Sequence, residues 1–230
     1  MHSQKPVFDA SNGGSDAFGD LPEWNLDDLY TAEDSPALIR DMDWLDTACS
    51  EFADEYEGKL ATLDAAGLLG AVKRYEQIDI IAGRIMSYAG LRYYQMTTDS
   101  DRAKFMADAQ DKITAYTTPL VFYGLEFNRL EDAHLAGLLA QNADLARYKP
   151  VFDRMRAMKP HQLSDELEKF LHDQSTVGAA AWNRLFDETM AGLEFDVDGD
   201  SLNLEATLNL LTDQDRAKRE AATHALAAVF

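Results

Sequence analysis

Cysteine is almost missing from this chain: one residue, Cys49, in 230. A lone cysteine closes no internal disulfide, which points to a reducing compartment such as the cytoplasm. Cys49 shares a helical register with Leu45, Phe52 and Tyr56, so it is expected to be an inert core thiol rather than a nucleophile. Basic residues are also scarce, 21 Lys and Arg against 41 Asp and Glu, for a formal net charge of -20. Such a surface repels phosphates, which argues against nucleic acid and anionic membranes as partners. No uninterrupted apolar run approaches the roughly 18 residues of a membrane span. The first twenty residues lack an apolar signal core and are expected to form a disordered leader, residues 1–20.

What is present is helical periodicity. Ser35-Pro36 reads as a cap followed by a first-turn proline, and Gly58 as a stop. Between them Leu38, Met42, Leu45, Cys49, Phe52 and Tyr56 recur at steps of three and four. A longer helix is predicted from about Asp64 to Met96 on Leu68, Val72, Tyr75, Ile78, Ile81, Ile85, Ala89 and Tyr93. Its Gly83 and Gly90 suggest close approach of a neighbouring helix. Asp99 or Ser100 caps a third helix, bent at Pro119. Further helices are predicted at about Glu131 to Gln141, Leu145 to Met158, after Ser164, and Gly178 to Met190. Thr212 or Asp213 should cap the last one, which runs onto Leu226, Val229 and Phe230 without a stop signal. That apolar ending suggests a fragment, or a domain whose partner surface lies elsewhere. The pattern predicts a mainly α protein, an antiparallel helical stack.

The stretch EFDVDGDSLNLE, Glu194 to Glu205, departs from the pattern. Acids at loop positions 1, 3 and 5, Gly199 at 6 and Glu205 at 12 have the spacing of a calcium loop. Against that, Leu193, Phe195, Val197, Leu202 and Leu204 alternate with polar residues around Asp198-Gly199, which predicts one small β-hairpin at about residues 193–205 with the acids on its solvent face. Position 1 is Glu194 rather than aspartate, and no helix is expected to run into the loop, so the hairpin is preferred. A calcium-binding protein remains a remote alternative.

Catalytic signals are sparse. No histidine has a second one four residues on, and no nucleophile elbow, phosphate loop or dinucleotide fingerprint occurs. Glu168 with His172 and Glu220 with His224 are expected to be exposed charge pairs, because zinc needs a third protein ligand that nothing indicates. His161 reads as a loop or packing residue, and one flank of Tyr93-Tyr94 should face outward. No catalytic, cofactor-binding or metal-ligating residue is assigned.

Five segments carry a family resemblance: LPEWNLDDLY (Leu21 to Tyr30), GRIMSYAGLRY (Gly83 to Tyr93), PHQLSDELEKFL (Pro160 to Leu171), STVGAAAWNRLFDET (Ser175 to Thr189) and FDVDG (Phe195 to Gly199). In this order they resemble the N-terminal part of oligoendopeptidase F, a zinc metallopeptidase of the thimet oligopeptidase clan. The likeness runs from about Leu21 to Phe230, with Gln214 where the family usually has proline. It implies the N-terminal half of a two-lobed helical peptidase whose channel admits short peptides, with residues 21–192 as an N-terminal helical domain and 193–230 as a hairpin and the start of the next helical region. It also implies zinc in the full-length enzyme, held by an HExxH motif and a later glutamate beyond Phe230, and none bound by this chain. The implied partners are short peptide substrates and the missing C-terminal catalytic domain. Alone, the chain should be inactive. The alternative is a stand-alone acidic helical module that holds a peptide or protein.

Overall fold

In the computed structural model, which describes residues 24–230, Ser35 starts the first helix. Its hydroxyl accepts the Leu38 N–H, and Pro36 occupies the first turn, where no donor is needed. Helix α1 (Pro36–Tyr56) buries the predicted face from Leu38 to Tyr56. The chain leaves it through Gly58, whose φ of 77° favours glycine. Helix α2 (Ala65–Gln95) is capped by Asp64, which accepts the Gly67 N–H at 2.7 Å. Helix α3 (Ser100–Thr117) begins at Asp99, whose carboxylate accepts the N–H groups of Arg102 and Asp101 and is held below its ordinary pKa by them.

Pro119 has no N–H to continue the ladder, so a 3₁₀ turn at Thr118–Leu120 separates α3 from α4 (Val121–Arg129). Helix α5 (Asp132–Gln141) follows. The single helix predicted from Leu145 to Met158 is two, α6 (Ala143–Ala146) and α7 (Lys149–Ala157), because Pro150 cannot donate across the junction. Beyond a 3₁₀ turn at Lys159–His161 lie α8 (Asp165–Asp173) and α9 (Ala179–Ala191).

The chain divides into two compact units inside α9: Leu26–Trp182 is one, and Asn183–Phe230 belong to the other. The disordered leader expected at residues 1–20 lies outside the described residues.

In the larger unit α1, α2 and α3 pack on one another, as an antiparallel helical stack requires. Phe52 sits at its centre, 0% exposed, with the rings of Tyr56, Tyr123, Tyr75 and Phe122 at 4.8, 5.6, 5.8 and 5.9 Å. The expected close approach at the helix glycines is not there. A Cβ on Gly83 would meet nothing, and one on Gly90 only the Tyr94 ring of its own helix, at 3.8 Å. Tyr94 faces outward and Tyr93 inward.

Two of the resembling segments meet in this unit. Tyr30, buried, donates its hydroxyl to Asp41 at 2.9 Å and packs edge-on against Tyr88. Arg84 stands 4.5 Å over the Tyr30 ring, donates to the Leu29 carbonyl and lies 3.6 Å from Asp41, which Arg40 also meets at 3.0 Å. Asp41→Ala is expected to cost about 2 kcal/mol. The loss comes mainly from the orphaned Tyr30 hydroxyl, since the two arginines are open to water and their ion pairs are worth little. Urea unfolding of the two proteins measures this, and a cost below about 0.5 kcal/mol would show that the hydroxyl finds another acceptor.

In the smaller unit β1 (Phe195–Val197) pairs antiparallel with β2 (Asp200–Leu202), in the register Phe195 to Leu202 and Val197 to Asp200. Asp198 and Gly199 both have positive φ, 56° and 95°, as a tight hairpin turn demands. The strands stop short of the predicted span. Asn203 accepts the Ala206 N–H and opens α10 (Leu204–Leu210), so Leu204 and Glu205 are helical. Helix α11 (Arg216–Val229) is capped by Asp215, not by the predicted Thr212 or Asp213. A small core of Phe195, Val197, Leu210, Ala222 and Ala225 joins these elements, with Leu226 half-buried against it. Phe230 remains 69% exposed.

Candidate functional site

Packing α2, α3, α4 and α8 together leaves a recess of about 390 Å³ lined by Tyr75, Ile78, Ala82, Ile113, Leu120 and Val121, with polar groups from Asp79, Thr117 and His172. Tyr75 stacks on Tyr123 at 4.3 Å, and burial pushes both phenols above their ordinary pKa.

The helical register pairs His172 with Glu168, but the structure does not. His172 Nε2 lies 3.2 Å from the Thr117 hydroxyl oxygen and 3.3 Å from the Thr114 carbonyl, while Glu168 accepts the Leu163 N–H at 2.9 Å. A carbonyl only accepts, and the Thr117 hydroxyl proton goes to the Ile113 carbonyl at 2.8 Å, so Nε2 must carry a proton. That nitrogen is therefore a donor tying α8 to α3, closed to a metal ion and to general-base work. The sequence missed this role, because a helical register shows which neighbours share an element and not which element lies opposite.

Other histidines show less. Glu220 and His224 are the expected exposed pair, 4.0 Å apart on α11, beside a shallow recess with Arg216, Arg219 and Thr223. His161 is exposed in its 3₁₀ turn. Cys49 is fully buried, and burial with the nearby Asp46 pushes its thiol up to about 12, far from any reactive thiolate. In the hairpin the Asp196 carboxylate accepts the Gly199 N–H at 2.8 Å and Glu194 accepts the Ser201 hydroxyl at 3.0 Å, so two of the acids with calcium-loop spacing are bound within the turn. Among the described residues no three of His, Cys, Asp and Glu come together as a metal site. Chemically, the recess offers an apolar lining whose His172 and Thr117 protons are already donated within the protein. It holds no nucleophile with an adjacent base.

A family model described as Oligopeptidase F matches residues 126–195, the stretch that runs from α4 through α8 and α9 into the hairpin. The Group B oligopeptidase PepB of Streptococcus agalactiae serotype III (strain NEM316) is 26% identical over 153 residues, covering 64% of this chain and 26% of that protein. This chain is similar to the N-terminal part of oligoendopeptidase F. The crystal structure of oligoendopeptidase-F from Enterococcus faecium superposes with a TM-score of 0.71 at 22% identity, over 84% of this chain and 39% of that one, which establishes the shared helical fold. The chain thus spans about a quarter of the curated relative it matches. The stretch that matches Oligopeptidase F contains Arg129, Asp165 and His172, whose ion pair and hydrogen bond seat α8 on the stack.

Proposed function

We propose that this chain is the N-terminal, substrate-channel part of a zinc metalloendopeptidase that hydrolyses short peptides. The match of residues 126–195 to the Oligopeptidase F family supports this most directly. The residues present do not fit zinc, since the described His, Cys, Asp and Glu side chains form no group of three. On this reading the metal and its chemistry belong to a C-terminal catalytic part, and this chain supplies a wall that limits substrate size and restricts water. The single buried Cys49 supports a cytoplasmic setting, and the charge of -20 argues against nucleic acid as a partner.

Two measurements test the reading. The reading frame beyond Phe230 is expected to encode a His-Glu-x-x-His helix, and a stop codon directly after Phe230 would count against it. The purified chain, incubated with a quenched-fluorescent short peptide, is expected to show no chelator-sensitive hydrolysis. Cleavage that a chelator abolishes and added zinc restores would place a metal centre within this chain and overturn the division of labour.

A further inference from the structure

Helix α4 carries a glycine that its packing does not require. Gly124 lies in the helix interior, where glycine costs about 1 kcal/mol against alanine, yet a Cβ built on it would meet nothing within 4 Å. It stands in the wall of the recess between α2, α3, α4 and α8, so the missing side chain keeps that space open. Every residue of the lining belongs to the Leu26–Trp182 unit. At about 390 Å³ the recess has the size of a small-ligand site.

The lining selects what can enter. Tyr75, Ile78, Asp79 and Ala82 follow one another at helical steps on α2, which sets a carboxylate one turn from an aromatic ring. The stack on Tyr123 holds that ring in place. Asp79 has no ion pair or hydrogen bond among the described residues, and no lysine or arginine lines the recess. An anion would therefore meet a carboxylate with no cation to offset it, and the protons of His172 and Thr117 are already given to α3. A divalent metal ion would find one carboxylate, too few ligands. An organic cation with an apolar body suits both parts of the lining: its charge faces Asp79 in a protein of net charge -20, and its body leaves water.

We propose that this recess binds a protonated primary amine attached to a small apolar body, with the ammonium at Asp79 and the body between α2 and α4. A free arylalkyl amine has this chemistry, and so does the N-terminal residue of a peptide. The inference does not depend on the peptidase reading.

The test is an NMR titration of the whole isotope-labelled chain at low salt with phenethylamine, with hydrocinnamate, which replaces the amine by a carboxylate, and with phenylalanyl-diglycine bearing a free or an acetylated N-terminus. Phenethylamine is expected to shift recess resonances saturably and to bind about ten-fold tighter than hydrocinnamate. Asp79→Asn should weaken the amine about three-fold, the scale of a solvent-exposed ion pair. Gly124→Leu fills the space, so it should bind the amine at least ten-fold more weakly while its unfolding midpoint holds or rises. If that midpoint falls, Ala82→Leu, from the α2 wall, takes its place. Binding of the peptide only when its N-terminus is free would support the site and make peptides a source of the ligand, whereas binding of phenethylamine alone would support it as a site for free amines. No saturable shift with either amine, equal affinity for phenethylamine and hydrocinnamate, or undiminished binding by the stably folded filled variant would each overturn the proposal.

Discussion

Phe52→Ala is expected to lower the free energy of unfolding by about 3 to 5 kcal/mol. Phe52 is fully buried on α1 and touches four other rings contributed by α1, α2 and α4. Truncation loses the transfer free energy of the ring and leaves a void that rigid aromatic neighbours cannot collapse into. Phe170→Ala is the contrast: with 56% of that residue already in water, the cost should stay within about 0.5 kcal/mol. Equilibrium urea denaturation of both variants checks the pair. A Phe52→Ala cost near 1 kcal/mol would mean that the centre of the stack repacks, contrary to the ring geometry.

The second large effect is a loss of stability in alkali. The folded chain holds the Cys49 proton to about pH 12, while the unfolded chain releases it near 9.0, so above that pH the native state binds more protons. Stability therefore falls as pH rises: the contribution is complete below about 9 and is lost between there and about 12. For this one group the loss is about 2 kcal/mol between about pH 9 and about pH 11. Tyr30 and Tyr123, also raised, mainly by burial, add to it from about pH 10 upward with the same sign. Unfolding free energies of wild type and Cys49→Ala across this range isolate the thiol, since the variant lacks only that proton. Parallel curves for the two proteins would show that the thiol titrates alike in both states.

Much of this fold is legible one element at a time. The face from Leu38 to Tyr56, the caps at Ser35 and Asp99 and the stop at Gly58 follow from 3.6-residue periodicity and from donors that need acceptors at helix ends. The hairpin follows equally from alternation around Asp198-Gly199, although its second strand gives way to a helix at Leu204 because Asn203 caps one. The family likeness is carried in part by residues with visible structural work, such as Tyr30 and Arg84 closing on Asp41.

By itself the sequence determined which residues share a face, because that depends only on the local repeat of the backbone. Tertiary structure alone decided what each face meets. Gly83 is exposed and a Cβ on Gly90 would touch only Tyr94 of its own helix, His172 leaves Glu168 for Thr117 and Thr114, and α8 turns its charges inward and its leucines to water. Those outcomes depend on partners far away along the chain, and periodicity carries no information about the element on the other side of a contact.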